Sequence, residues 1–273
     1  MGYRSRMAEP ISEAEWRALL TGEHPGLVRP RPVFKHLPRP PRCKLCFVPF
    51  RGPFTPFLRA AGYRRWAKNP SMCVQCLRSF EKRGLGGAEI ELSFLFADVR
   101  GSTALAERVG PSAFTTLLNR FYEVATRALV DADAVVDKFV GDEVVGLFVP
   151  GFAGAGHAAG AIGAARRILH LTGHGDAGGP WVPVGIGVHT GVAFVGTVGA
   201  SGVSGDEGSV ADFTALGDPV NVTARLASAA GVGELLITEA SARAAGLERG
   251  EREVRELGIR GRLAPIVVWV ERS

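Results

Sequence analysis

The stretch KFVGDEVVGLF, residues 138–148, decides how this chain is read. Two apolar, β-branched arms flank Gly141-Asp142, the composition of a tight β-hairpin. Lys138 stands in the first arm, and two adjacent acids, Asp142 and Glu143, stand at the tip. Upstream, the apolar run ELSFLFADV (91–99) reads as a buried strand, and Ala113, Phe114, Leu117, Leu118, Phe121, Ala125 and Leu129 then recur at helical spacing. Downstream, GFAGAGHAAGAIGAARRIL (151–169) reads as a helix of small residues, and VPVGIGVHTG (182–191) and VAFVGTVG (192–199) as two strands. Strand, helix, two strands, helix, strand is the α+β, ferredoxin-like βαββαβ order, which predicts an antiparallel sheet with helices packed on one face. The remainder supplies a strand DFTAL, a helix GDPVNVTARLASAAG, a strand ELLIT, a short helix from Glu239, and closing strands VRELGIRG and PIVVWVER. The Gly/Ser-rich, acidic segment GASGVSGDEGSVADF (199–213) reads as a mobile loop.

The charge is distributed unevenly. Residues 1–90 hold 17 Lys and Arg against 6 Asp and Glu, a balance of +11, which leaves −6 for residues 91–273 out of a total of +5. That split, the proline-rich RPRPVFKHLPRPPR (29–42) and the pair Gly86-Gly87 divide the chain into an N-terminal arm over residues 1–36, a cysteine module over 37–85 and a C-terminal domain over 86–273. Ser12 and Glu15 make a capping-box pattern for a short helix in the arm, ended by Gly22. The 46% apolar content suffices for a core, no run approaches the ~18 apolar residues that span a bilayer, and the N-terminus lacks the apolar centre of a secretory signal. The expectation is a cytoplasmic protein without a membrane span.

Asp98 ends a strand and is followed by Gly101, Ser102 and Thr103, a tight turn leading into a helix whose first backbone N–H groups suit phosphate oxygens. In a βαββαβ sheet the 138–148 hairpin neighbours that first strand, so Asp98 and Asp142 come together. Two such carboxylates repel unless a divalent cation joins them, and hard oxygen ligands favour Mg²⁺ or Mn²⁺. Strand alternation turns Glu143 to the other side of the sheet and leaves it out. Lys138, four residues before Asp142, faces the same side. Asn221 and Arg225 are four apart and project from one helix face.

Residues 88–272 resemble the class III adenylate and guanylate cyclase catalytic domain, through FADVRGST (96–103), KFVGDEVVGLF and DFTALGDPVNVTAR (212–225) in the family's order. The resemblance implies two Mg²⁺ or Mn²⁺ ions on Asp98, Asp142 and the backbone carbonyl of Val99, with Gly101, Ser102 and Thr103 on the triphosphate. It implies that Asn221 positions the ribose and that Arg225 stabilises charge growing at the α-phosphorus. It places Arg260 on the outer phosphates, and it assigns the base to Lys138 and Thr214. A Lys and Thr pair suits the N1 acceptor and N6 donor of adenine, whereas guanylate cyclases typically carry Glu and Cys there, so the expected substrate is ATP. In the family the metal ligands come from one chain and the remaining groups from another, so a chain holding the full set is expected to form a head-to-tail homodimer with an inactive monomer.

CKLC (43–46) and CVQC (73–76) form C-x2-C-x26-C-x2-C, the pattern of a four-thiolate metal site on Cys43, Cys46, Cys73 and Cys76. Zinc is the default and an iron–sulfur cluster the alternative. Arg59, Tyr63, Arg64, Arg65, Trp66 and Lys68 between the knuckles make a basic, aromatic-bearing loop that suits nucleic acid or, in preference, the acidic C-terminal domain itself. Three rival functions follow. A diguanylate cyclase is disfavoured because Val140 and Val144 replace a glycine and an aromatic of its hairpin. A guanylate cyclase would reverse the base assignment. A zinc-binding regulator of nucleic acid or signalling, with a catalytically silent domain, would leave the chemical residues idle. His157 and His189 read as structural.

Overall fold

The hairpin forms as its sequence requires. Strands β2 (Val135–Val140) and β3 (Glu143–Phe148) pair antiparallel with Val140 opposite Glu143, which leaves Gly141 and Asp142 as the connecting pair. This computed structural model describes residues 12–25, 42–43, 46–66, 69–70, 72–76, 85–204, 208–259, 262 and 264–273. β3 also pairs antiparallel with β1 (Gly86–Val99), from Ser93 opposite Phe148 to Asp98 opposite Glu143. With β4 (Val184–Ser204), β5 (Gly208–Leu216), β6 (Glu234–Thr238), β7 (Glu253–Leu257) and β8 (Ile266–Arg272), the sheet runs β2-β3-β1-β4-β6-β8-β7, and β5 pairs with β4. Its first four strands lie in the ferredoxin-like order expected from the sequence.

The chain divides into two compact units: the described residues up to Ile90 with Phe194–Ala215, and Glu91–Ala193 with Leu216–Ser273. β1 and β4 each contribute one end to each unit. In the first unit, α1 (Glu13–Thr21) carries the expected capping box between Ser12 and Glu15 and ends at Gly22. It buries Trp16, Leu19 and Leu20, and Arg17 donates to the Glu89 carbonyl on β1. A second helix, α2 (Thr55–Ala60), lies between the cysteine pairs. Gly86 and Gly87, read from composition as a joint, open β1. A Cβ on Gly87 would lie 2.3 Å from the Val195 carbonyl oxygen, so close approach to β4 accounts for glycine there.

In the second unit, α3 (Ser102–Val109) and α4 (Pro111–Asp131) follow β1, and α5 (Pro150–Ala153) and α6 (His157–Leu171) follow β3. Phe121, Ala125, Ala128 and Leu129 of α4 sit at i, i+4, i+7 and i+8, and bury one stripe against Leu95, Ala97 and Phe148, joined by Ala161, Ile162, Ala165 and Ile168 of α6. Each large aliphatic side chain so buried contributes roughly 1.5–3 kcal/mol. Helix α7 (Asp218–Ala229) lies on the opposite face, where Val222 and Leu226 meet Leu236, Val268 and Val270. Alternation on β6 serves both cores, with Leu235 and Ile237 in the first and Leu236 in the second. Helices therefore cover both faces of the sheet, not one as expected. A short helix α8 (Glu239–Ala244) follows β6, capped by the Thr238 hydroxyl.

Three expectations change. The two strands read over 182–199 are one strand, β4, because Gly191 keeps an extended backbone and does not turn the chain. The segment 199–213 is not a loop: its described backbone carries the end of β4 and most of β5, which pair with each other. The small-residue helix is two helices, interrupted at Gly154. Among the described residues, no helix is long and apolar enough to cross a membrane.

Candidate active site and cysteine cluster

At the hairpin tip, the Val99 N–H donates to the Asp142 carbonyl at 3.3 Å, which ties the end of β1 to the loop. Because Asp98 is opposite Glu143, its carboxylate lies at the same end of the sheet as Asp142. Tyr122 of α4 supports the tip from below: its hydroxyl donates to the Gly141 carbonyl, and its ring packs on Phe139 with centroids 4.6 Å apart. Asp98 is ion-paired with Arg100, whose other guanidinium nitrogen donates to the Ser228 carbonyl at 2.8 Å. Arg100 thus faces a cluster of acids that includes Asp142 and Glu143. Burial, and next to it the Asp142 charge, push the Glu143 carboxyl up to about 7, with Arg100 opposing. The sequence reading missed Arg100, whose place two residues after Asp98 on a strand end was the available signal.

Gly101 takes a left-handed conformation, φ 65°, as the N-cap of α3, and no side chain caps that helix start. Ser102 is half-buried and Thr103 exposed, so the first turn of α3 presents its N–H groups beside Asp98. Asp98 and Asp142 are hard oxygen donors of the kind that suit a divalent cation, and Glu143, which strand alternation set aside, faces the same side of the sheet as its partner Asp98.

Asn221 and Arg225 lie one turn apart on the exposed face of α7, whose other face buries Val222 and Leu226. Both line a cavity of about 540 Å³ together with Asp218, Ser228, Ile259 and Arg262. Arg262 is ion-paired with Asp218 at its edge. Arg260 lies outside the described residues; Arg262, two positions on, lines the cavity with Arg225, and the sequence reading passed over it. Lys138 is exposed, 3.3 Å from the carboxylate of the buried Asp137. Thr214 is buried on β5 in the first unit, so the structure does not bring Lys138 and Thr214 together within one unit.

The four cysteines converge. Their sulfurs all lie within 4.8 Å of one another, with Cys43 to Cys76 at 3.8 Å and Cys46 to Cys73 at 3.7 Å. The N–H groups of Cys73 and Cys76 donate to the sulfurs of Cys43 and Cys73, and Phe47 holds the first knuckle in a left-handed turn at φ 63°. Contacts with Cys46, then Cys73 and Cys76, hold the Cys43 thiol far below its ordinary range, and the Cys43 contact pushes Cys46 and Cys76 far above it. Four sulfurs this close do not all ionise without a cation. Of the basic loop, Arg59, Tyr63, Arg64 and Arg65 line a cavity of about 230 Å³ with Phe50, and the Arg65 guanidinium lies 5.1 Å from the Phe50 ring centre. Lys68 lies outside the described residues.

The ferredoxin-like sheet, its acidic hairpin and the Asn/Arg cavity on α7 together define a nucleotide cyclase type of catalytic domain. The family described as adenylate and guanylate cyclase catalytic domain matches residues 88–271, and the chain belongs to that family. It is 31% identical over 172 residues to an adenylate cyclase of Anabaena cylindrica, covering 60% of this chain and 32% of the relative. An adenylate cyclase 1 of Rhizobium meliloti is 28% identical over 141 residues, or 50% of this chain and 20% of the relative. The chain thus spans a third or less of the length of these curated relatives. Among solved structures, the adenylyl cyclase CyaB from P. aeruginosa aligns with a TM-score of 0.55 at 26% identity, over 68% of this chain and 95% of that one. The guanylyl cyclase Cya2 aligns with a TM-score of 0.58 at 24% identity, over 68% and 93%, a likeness of fold.

Proposed function

We propose that this chain is an adenylate cyclase, converting ATP to 3′,5′-cyclic AMP and pyrophosphate at sites shared between two copies. The observation that carries the reading is the cavity on α7 into which Asn221 and Arg225 both project, on the same unit as Asp98 and Asp142. Asp98, Asp142 and the Val99 carbonyl would hold two Mg²⁺ or Mn²⁺ ions, which supply Lewis-acid activation of the ribose 3′-hydroxyl and neutralisation of the triphosphate. The first turn of α3, through Gly101, Ser102 and Thr103, receives phosphate oxygens on its N–H groups. Asn221 orients the ribose, and the planar fork of Arg225 neutralises charge that grows on the α-phosphate as the 3′-oxygen attacks and pyrophosphate departs. Arg260 acts on the outer phosphates. Lys138 donates to adenine N1, and Thr214 accepts from its N6 amino group.

Two copies are needed because the metal side of one completes the α7 side of the other. Phe139 and Val140, about half exposed beside Asp142, supply apolar surface for that association. The cysteine cluster would hold Zn²⁺: sulfurs bound at about 2.3 Å to one tetrahedral ion stand about 3.8 Å apart, close to the 3.8 and 3.7 Å spacings of the cysteine pairs, while an iron–sulfur cubane spreads its cysteines wider. The N-terminal module is the regulatory part.

The test is product formation by the purified chain with Mn²⁺ or Mg²⁺, given ATP and GTP in parallel. Cyclic AMP from ATP alone is expected, with activity that rises with protein concentration through the monomer–dimer range. Lys138→Glu with Thr214→Cys is expected to move preference toward GTP. Cyclic GMP from the unaltered chain would overturn the base assignment, and no product from a dimer with its cysteine metal in place would favour a regulatory role.

A further inference from the structure

Within the second unit runs a buried polar chain that the reaction does not use. Ser93 on β1 lies 2.9 Å from His157 Nδ1 at the start of α6 and 2.7 Å from the Thr190 hydroxyl on β4. Thr190 lies 3.0 Å from the Ser241 hydroxyl on α8, Ser241 lies 3.2 Å from the Thr238 hydroxyl at the end of β6, and Thr238 lies 3.0 Å from His189 Nδ1. All four hydroxyl residues and His157 are buried, and His189 is partly so. Ser93 and Thr190 share the sheet face that carries α4 and α6. His189, adjacent on β4, points to the face that carries α7. The chain therefore passes from one face to the other around the end of β6.

Proton counting fixes the His189 end of the chain. Each hydroxyl has one proton to donate. Thr238 donates to Ser241 and accepts the Ser241 N–H, while Ser241, Thr190, Ser93 and His157 Nδ1 continue the chain through bonds in which either neighbour can donate. Thr238, its proton engaged, accepts from His189 Nδ1. His189 is then fixed as the Nδ1–H tautomer, with the lone pair on Nε2. Burial, and after it the charge of Arg262, lower the His189 pKa to about 4 against the opposing Asp218, so the ring is neutral at pH 7. Burial likewise lowers His157 against Glu91.

The Nε2 edge of the ring lies near the start of α7. A Cβ placed on Gly191 would lie 3.2 Å from His189 Nε2 and 3.0 Å from Pro219 Cγ, so ring and proline close on the same point. Pro219 is in the first turn of α7; Asp218 precedes it and Asn221 follows two residues later. We propose that this chain is a positioning relay: through His189 it fixes the first turn of α7, and with it the direction in which Asn221 and Arg225 enter the cavity. Apolar side chains of similar shape would fill these positions at little cost in stability. A satisfied polar network instead selects one arrangement. The inference rests on the cyclase reading for its kinetic consequence alone.

The test combines kinetics and spectroscopy on the full chain. For His189→Phe, kcat with Mn²⁺ and ATP is expected to fall about tenfold or more, with KM within about twofold, as expected of misplaced catalytic groups. His189→Asn restores most of the rate, since its amide nitrogen replaces Nδ1 as donor to Thr238. Thr190→Val, which cuts the chain away from the site, lowers kcat severalfold, and Thr190→Ser restores it. By ¹⁵N NMR at pH 7, His189 is expected as the neutral Nδ1–H tautomer. An Nε2–H or charged His189, or His189→Asn as slow as His189→Phe, overturns the relay. Should the unaltered chain form no cyclic nucleotide, the cyclase reading fails, and the NMR tautomer alone decides the relay.

Discussion

The cysteine cluster and the hairpin carboxylates are both candidate metal sites, and they are built by opposite means. Among the described residues around Cys43, Cys46, Cys73 and Cys76 the buried apolar side chains are few, Val48, Phe50 and Met72 among them, and the sulfurs themselves form the centre. Asp98 and Asp142 instead stand at the rim of strands whose interior residues, Leu95, Ala97 and Val144, are packed beneath α4 and α6. An ion at the first site holds the local fold together; an ion at the second acts on a scaffold that is already rigid.

The largest expected effect follows from that contrast. Asp142→Ala or Asp98→Ala should lower cyclase turnover at least 10³-fold, since each removes a carboxylate on which metal-assisted charge stabilisation depends. The thermal midpoint should change by no more than a few degrees, because neither side chain contributes to the core. Product assays and calorimetry on the same preparations decide it. A midpoint that collapses with activity would break the contrast, making the hairpin as ion-dependent as the cysteines.

On the α7 side no metal is invoked, and the expected losses are smaller. Arg225→Ala and Asn221→Ala should each cost about 10²–10³ in kcat, the range for removing one preorganised stabilising group. Mixing Arg225→Ala chains with Asp142→Ala chains should restore part of the activity, because a dimer of the two keeps one complete site. No recovery on mixing would place both sets of residues in one copy.

At the cysteine cluster the expected change is in local structure. Cys43→Ser, or a chelator, should release one metal ion per chain and strip amide-exchange protection from residues 43–76. Protection of β1, β3 and α4 should stay. Native mass spectrometry and hydrogen exchange read the two effects separately, and intact protection after metal loss would show that the module has enough core of its own.

How much of this was legible before folding depended on whether the signal was local. The hairpin, β1 and α4 announce themselves through period-2 and period-3.6 patterns, and the CxxC pairs through their spacing. Gly191 separates two strands in the sequence pattern yet lies inside one, because glycine marks a joint, a turn or a close approach alike, and only the partner strand shows which. The polar relay was invisible: Ser93 and Thr190 are 97 positions apart and Thr190 and Ser241 are 51 apart, and each hydroxyl alone is an ordinary residue of its element. The Asn221 and Arg225 face was visible as an i, i+4 pair, but the participation of Arg262 in the same cavity depends on its pairing with Asp218, 44 positions away.

The smallest effect concerns a third charged cluster, which uses only the charges of the protein. Glu234 on β6 accepts two hydrogen bonds from the Arg255 guanidinium at 3.0 Å each and one from Arg272 at 3.1 Å. Those from Arg255, with the Gly231 N–H and Arg272, outweigh burial and lower the Glu234 carboxyl from 4.5 to about 2. Its folded pKa lies below its unfolded one, so the stabilisation is complete above about pH 4.5 and disappears as the pH falls through 2. With screening at the partly exposed arginines, about 2 kcal/mol is expected from the cluster. Urea unfolding at pH 7, 4.5 and 3 should show the unaltered chain losing stability over the last interval, while Arg255→Met begins less stable and loses less there. Parallel curves for the two proteins would mean that the acid sensitivity arises elsewhere, with the hairpin acids as the next place to look.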